Sequence, residues 1–407
     1  MTAFYLFVRI LFFLLAFLVF YTYVGYGVVA WVLVWFRSHR KKAITDTVDK
    51  LPHVTLIVPA YNELAYLPGK LQNCIDQDYP LDHLHLLFVA EGSDDGSEEY
   101  LTKMMRSMPN LSLISGSQRL GKVAAMNQAM RQVATPITIF TDANTQLNRE
   151  AVSRLVERFE VASVGAVTGE KRIRVHGSEA AAGSGEGLYW RYESFLKRLD
   201  AKLHTIVGAA GELFAIRTSL YEPVEPDTLL DDFMISLRIA GRGYRVEYAP
   251  DAYALERPSH SMGEEMKRKV RIATGGFQAI QRLSHLLNVF KYGWLTFQYV
   301  SHRVLRWAVT PFCLPVLIAL NIMLLTEPYM TGKSSSDSNF WPLMLLLQFI
   351  FYLTAYIGYT LENRQTRWKL TFVPFYFVFM NWCVLLGFAR FCHGNVSGMW
   401  EKSKRAA

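Results

Sequence analysis

Cysteine is scarce in this sequence: four residues in 407, and Cys74, Cys313, Cys383 and Cys392 show no metal-binding or redox spacing. A disulfide scaffold is thereby excluded, and the four read as small core or lipid-facing residues in a reducing compartment. Glycine (26) and proline (15) are too few and too irregular for a collagen-like or disordered chain. Charge is sparse as well, at 19%. That is still too much for a bundle facing lipid throughout, while a hydrophobic content of 51% and a mean hydropathy of +0.13 are too high for an ordinary soluble enzyme. The apolar residues must be segregated into membrane and water-soluble parts.

Residues 10–36 form a nearly unbroken apolar run, longer than the roughly 20 residues a helix needs to cross a bilayer. Arg37, Arg40, Lys41 and Lys42 follow it directly, where a signal peptide would carry a small-residue cleavage site. Those cations hold what comes next in the cytoplasm. Three more apolar stretches, 304–326, 341–361 and 371–391, lie near the other end. The 362–370 link carries Arg364, Arg367 and Lys369 against Glu362 and belongs inside; the 327–340 link carries Lys333 against Glu327 and Asp337 and belongs outside. The basic tail 392–407 disagrees with a fourth full crossing. Either the last apolar segment is re-entrant or interfacial, or packing overrides the charge rule.

The expected organisation is an anchor over 1–42, a globular α/β domain over 50–287, an amphipathic helix in the membrane interface over 288–303, membrane helices over 304–391, and the tail. In the α/β domain, β-branched runs at 54–60, 84–91, 111–117, 137–143, 164–170, 213–217 and 245–250 alternate with helical patterns at 121–134, 150–161, 186–203, 231–241 and 263–285. Such alternation implies a largely parallel, Rossmann-like sheet with ligands at the C-terminal strand ends.

Polar residues gather at those ends. The first strand runs into Pro59-Ala60-Tyr61-Asn62-Glu63 and the second into Glu91-Gly92-Ser93-Asp94-Asp95-Gly96-Ser97. The second of these reads as a turn before a capped helix or as a nucleoside pocket. The fourth strand delivers Asp142-Ala143-Asn144 to the same edge, and Arg119 and Lys122 introduce cations suited to phosphates. Gly211 and Glu212 precede the sixth strand. Asp231 and Asp232 open a helix, where capping is a sufficient explanation by itself. Lys267, Arg268, Lys269 and Arg271 crowd one helical stretch, which alone reads as a membrane-facing basic patch.

Taken in order, segments 58–63, 91–97, 142–144, 231–232 and 268–271 resemble the motifs of family 2 glycosyltransferases, in the membrane-integrated branch of cellulose, hyaluronan and poly-N-acetylglucosamine synthases. The resemblance covers roughly 50–300 and implies a GT-A fold, a nucleotide-diphosphate sugar, by default a UDP-sugar, and Mg2+ or Mn2+. By position it implies that Ala60, Tyr61, Glu63, Glu91 and Asp94 surround the nucleoside and that Lys122 approaches the phosphates. Asp142 and Asn144 would occupy the two ends of the DxD motif beside ribose, diphosphate and metal. Gly211 and Glu212 would lie near the acceptor, Asp232 would be the general base beside Asp231, and Arg268 and Arg271 would form the diphosphate clamp.

Asn144 stands where an acid is usual, Glu91 where Asp is commoner, and Ile272 where Trp is expected, with Arg268 in place of Gln. An aliphatic side chain cannot fully copy an aromatic face against a sugar ring, which weighs against processive polymerisation. The function implied is inverting sugar transfer to a membrane-associated glycan or lipid-linked acceptor at a bacterial inner membrane, with the catalytic domain cytoplasmic. Export or polymerisation subunits are possible partners and nucleic acid is not. A processive synthase exporting through its own helices and a catalytically silent nucleotide-binding scaffold are the alternatives.

Overall fold

A computed structural model describes residues 2–37, 51–173, 180–257, 261–331, 339–363 and 369–394. Arg40, Lys41, Lys42, Lys333, Asp337, Arg364, Arg367 and the tail beyond 394 lie outside these residues.

The chain begins with α1 (Thr2–Phe20) and α2 (Tyr26–Arg37), joined through a π-helical turn at Tyr21–Gly25 into one apolar helix over Ala3–Arg37. Inside that helix the Thr22 hydroxyl donates to the Leu18 carbonyl at 2.7 Å, a side-chain competitor for the helix ladder. The α/β domain follows: β1 (Val54–Pro59), α3 (Leu67–Ile75), β2 (Leu84–Glu91), α4 (Ser97–Met105), β3 (Leu111–Gly116), α5 (Lys122–Met130), β4 (Ile137–Thr141), β5 (Gln146–Leu147), α6 (Ala151–Glu157), β6 (Val164–Ile173), α7 (Ala180–Leu203), β7 (Leu213–Arg217), α8 (Asp231–Gly241), β8 (Arg245–Glu256) and α9 (Met262–Arg282).

Eight strands form one sheet in the order β3-β2-β1-β4-β7-β6-β8-β5. The half from β3 to β4 is parallel, as continuous apolar runs such as Leu56-Ile57-Val58 require when both faces are covered. The other half differs from the expected parallel pattern: β7 is antiparallel to both β4 and β6, and β5 to β8. One face of the sheet packs on Leu67, Leu71, Leu101 and Leu155; the other packs on Met126, Phe233 and Leu237 and continues to Trp307 of the membrane region. The periodicity reading did not anticipate α3, whose buried Leu67, Leu71 and Cys74 lie among polar neighbours, and α4 entered it only as one reading of 91–97, a turn before a capped helix.

Residues 288–303, expected as one interfacial helix, divide at Gly293 (φ 51). The short α10 (Val289–Tyr292) precedes the break, and Phe290 there is fully exposed. After it, α11 (Trp294–Tyr299), a π-helical stretch (Val300–Val309) and α12 (Thr310–Leu325) form one continuous helix. Then come α13 (Glu327–Thr331), α14 (Phe340–Asn363) and α15 (Lys369–Cys392). Four helices, Ala3–Arg37, Trp294–Leu325, Phe340–Glu362 and Leu370–Cys392, are long and apolar enough to cross a membrane.

Their contacts give the direction of each. Arg9 of α1 meets Glu327 at 2.8 Å, far along the helix from the α/β domain, whereas Tyr26 of α2 packs on Leu196 and Leu199 of α7. Helix α14 starts at the first of these ends, where Trp341 meets Phe12, and runs towards the domain. Helix α15 has both ends on the domain side: Thr371 abuts Gly358 near the end of α14, and Gly387 lies against Ala273 and Thr274 of α9.

Candidate active site

The loop after β1 is locked to the loop after β2. Asn62 adopts a left-handed backbone (φ 53), and its amide donates to Asp94 at 2.7 Å while its carbonyl oxygen accepts from the Asp94 N–H at 3.0 Å. Asp95 accepts from the Leu64 N–H at 2.9 Å and the Ser97 hydroxyl at 2.5 Å. Arg119 lies 4.0 Å above the Tyr61 ring, and the close approach of its backbone requires Gly92, where a Cβ would come within 2.6 Å. Glu91 is buried at the end of β2, and burial raises its pKa.

Asp142 follows β4, and the Lys122 ammonium, at the start of α5, sits 2.8 Å from its Oδ1 and 3.6 Å from Oδ2 of Asp231. Burial alone would lower the lysine pKa, but the Asp142 and Asp231 charges win and raise it. The place beside Asp142 is therefore a cation seat. The Asp142 carboxylate is a hard oxygen donor of the kind that fits Mg2+ or Mn2+, and Asn144, two residues on, carries an amide oxygen of the same kind. Among the described residues no three His, Cys, Asp or Glu side chains group as a self-sufficient metal site.

Helix α8 begins with Asp231 and Asp232, an arrangement its dipole favours. The Ser236 hydroxyl donates to the Asp232 carbonyl at 2.7 Å and accepts from the Ala209 N–H at 3.0 Å, which ties the loop before β7 to this helix. Burial, and then the charge of Asp231, push Asp232 up to about 7, with Lys122 opposing. Glu212 moves the other way. Burial would raise it, but the buried ammonium of Lys171, which pairs with both Glu212 and Glu256, holds it well below the usual carboxylate range.

Helix α9 brings the cations. Ser261 caps it by accepting from the Glu264 N–H at 3.3 Å. Gly275 lets it approach α8, because a Cβ there would lie 2.7 Å from Leu230, one residue before Asp231. Arg268 is tied to Glu265 at 3.1 Å. Arg271 is drawn down in pKa by burial, with Asp231, Asp142 and Asp232 opposing.

One cavity of about 490 Å³ gathers Lys122, Asp142, Gly211, Glu212, Asp231, Asp232, Arg268 and Arg271. Ala60, Tyr61, Glu63, Glu91, Asp94 and Asn144 do not line it; they occupy the adjoining ends of β1, β2 and β4. The cavity continues past Glu193, Arg303 and Arg306 to Tyr23, Trp307, Phe372, Tyr376, Phe377 and Met380 of the apolar helices. Here Arg303 and Arg306 meet Glu193 at 2.7 and 2.9 Å, and His302 meets Asp200 at 2.6 Å. The sequence reading missed Lys171 and Glu193. Lys171 stands between Glu170 and Arg172, past the expected end of its strand, and no local pattern marks either residue.

Residues 55–224 match the family described as Glycosyl transferase family 2. Over 254 residues the chain is 25% identical to a poly-beta-1,6-N-acetyl-D-glucosamine synthase of Staphylococcus aureus, a match spanning 60% of this chain and 60% of that protein. It is 26% identical over 234 residues to the glycosyltransferase AglE of Haloferax volcanii, covering 56% of this chain and 74% of AglE. In fold it is similar to a mannosyltransferase, PcManGT, of Pyrobaculum calidifontis solved in complex with GDP-Man and Mn2+. That likeness has a TM-score of 0.67 and 22% identity, over 95% of this chain and 99% of the other.

Proposed function

From the premise that residues 55–224 are a family 2 glycosyl transferase domain in a GT-A fold, we propose an inverting transfer from a nucleotide-diphosphate sugar to a lipid-linked or glycan acceptor at the membrane. The observation that carries the proposal is that Asp142, Asp232 and Arg271, far apart in sequence, line one cavity.

In this reading the β1 and β2 ends hold the nucleoside. Lys122 and Arg271 face the diphosphate, and a bidentate guanidinium stabilises its charge as it leaves without giving up a proton. Asp142 and Asn144 would hold a divalent cation. When bound, it supplies further charge stabilisation to the leaving diphosphate. Asp232 takes the proton of the attacking hydroxyl as that oxygen bonds to the anomeric carbon. A base opposite the leaving group gives inversion. Glu212, held ionised by Lys171, accepts hydrogen bonds from the acceptor.

The acceptor must reach Asp232 while its remainder lies against Trp307, Phe372, Tyr376 and Phe377, surroundings that suit a membrane lipid carrying the acceptor group. The domain over 50–287 faces the cytoplasm of a bacterial inner membrane, and α10 with its exposed Phe290 rests in the interface. Purified protein incubated with a panel of sugar nucleotides and lipid acceptors should release nucleoside diphosphate with one donor and give a single-sugar product. A ladder of products would establish the processive reading. Nucleotide binding without turnover on any donor or acceptor would establish the silent scaffold.

A further inference from the structure

Lys70 of α3 is fully enclosed, 2% exposed, behind the turn that carries Asp142 and Asn144. Its ammonium donates to Oγ1 of Thr141 at 2.9 Å, to the Thr145 carbonyl at 3.0 Å and to Oγ1 of Thr145 at 3.3 Å. All three partners are neutral, whereas lysine is almost never fully buried unless paired with an acid. An ammonium has three protons and no lone pair, so each threonine hydroxyl must accept from it and turn its own proton onward. Thr141 donates to the Glu212 carbonyl at 3.0 Å, and Thr145 to the Asp142 carbonyl at 2.9 Å. One buried cation thus orients hydroxyls that brace both the Asp142 turn and the loop ending at Glu212. Burial draws its pKa down to about 8, with Cys74 and Asp142 opposing, so the group is a cation at neutral pH.

We propose that Lys70 is a positioning residue, a fixed buried charge that sets the Asp142 turn for the donor's diphosphate. This rests on the glycosyltransferase reading. Removing an acid from the usual DxD pair leaves Asn144 neutral, and Lys70 adds positive potential on the protein side of the same turn. In the dry interior such a charge, with no salt-bridge partner among the described residues, is screened less than a surface lysine's would be.

The test is nucleotide binding to the full chain in detergent at pH 7 by calorimetry, using UDP, UMP, GDP and GMP with Mg2+. Wild type should prefer one diphosphate over its monophosphate. Lys70→Met should keep monophosphate affinity and lose roughly tenfold or more of that preference, the order of effect of one weakly screened unit charge. Thr145→Val, which leaves Lys70 in place and cuts its link to Asp142, should lower the preference in the same direction, and it decides the matter if Lys70→Met does not fold. A Thr145→Val protein with unchanged preference, or a folded Lys70→Met protein with unchanged preference, overturns the proposal while leaving the enzyme reading intact. Wild type that binds none of the four nucleotides removes both.

Discussion

The Asp232 carboxylate and the Gly211 backbone face each other so closely that a methyl group at position 211 would sit 3.2 Å from Oδ2. The loop before β7 therefore walls one side of the proposed base, and Asp231 and Lys122 hold the other.

That enclosure fixes a pH dependence. A base works as the carboxylate, and Asp232 is raised to about 7 by burial and Asp231. Transfer should fall about tenfold per pH unit below 7 and level off above it. Asp232→Asn should remove roughly 10²- to 10⁴-fold of the rate with nucleotide affinity nearly unchanged. The stability sign is opposite: the unfolded carboxyl ionises near pH 4 and the folded one near 7, so native stability is lost as pH rises through that window. Asp232→Asn should accordingly melt higher than wild type at pH 8. An activity profile flat from pH 5 to 8 would remove Asp232 from the proton transfer.

Asn144 supplies a second prediction. A neutral amide oxygen binds a divalent cation less strongly than a carboxylate. Asn144→Asp should lower the Mn2+ concentration needed for half-maximal activity severalfold and tighten Mn2+ binding in the presence of nucleoside diphosphate. Metal titration of both proteins measures it, and identical curves would place the metal away from Asn144.

Lys171 joins two carboxylates on different strand ends, Glu212 before β7 and Glu256 at the end of β8. Lys171→Met removes the buried cation that Glu212 and Glu256 share, and breaking a buried ion pair costs about 3–5 kcal/mol. Thermal unfolding should show a large drop at pH 7 that shrinks at acid pH, where the carboxylates are neutralised.

The parallel half of the sheet was legible because β1, β2 and β4 are buried on both faces and read as uninterrupted apolar runs. The same logic misdirected the other half. β7 looks like any buried strand, and nothing in Leu213–Arg217 records that its neighbours β4 and β6 run the opposite way. Asp142, Asp232 and Arg271 were legible as motif positions. Lys70 and Glu193 were not, because their partners Thr145 and Arg303 stand 75 and 110 positions away, and only folding makes a buried cation or anion affordable there. The last apolar segment was legible only as a conflict between its length and the basic tail, and contacts at its two ends bear on that conflict directly.

Thr371 meets the end of α14 and Gly387 meets α9, so α15 starts and finishes on the side of the catalytic domain. A helix that returns to its own side is expected to lie along or dip into the membrane rather than cross it. Cys392 ends α15 and is exposed, while Cys74, Cys313 and Cys383 are buried, so the native chain carries its own topology probe. A membrane-impermeant maleimide should label Cys392 in inside-out membrane vesicles and leave right-side-out vesicles unlabelled, with Cys392→Ser as the control. Labelling from the outer side would mean that α15 crosses completely and that its contacts with α9 must be broken in the membrane.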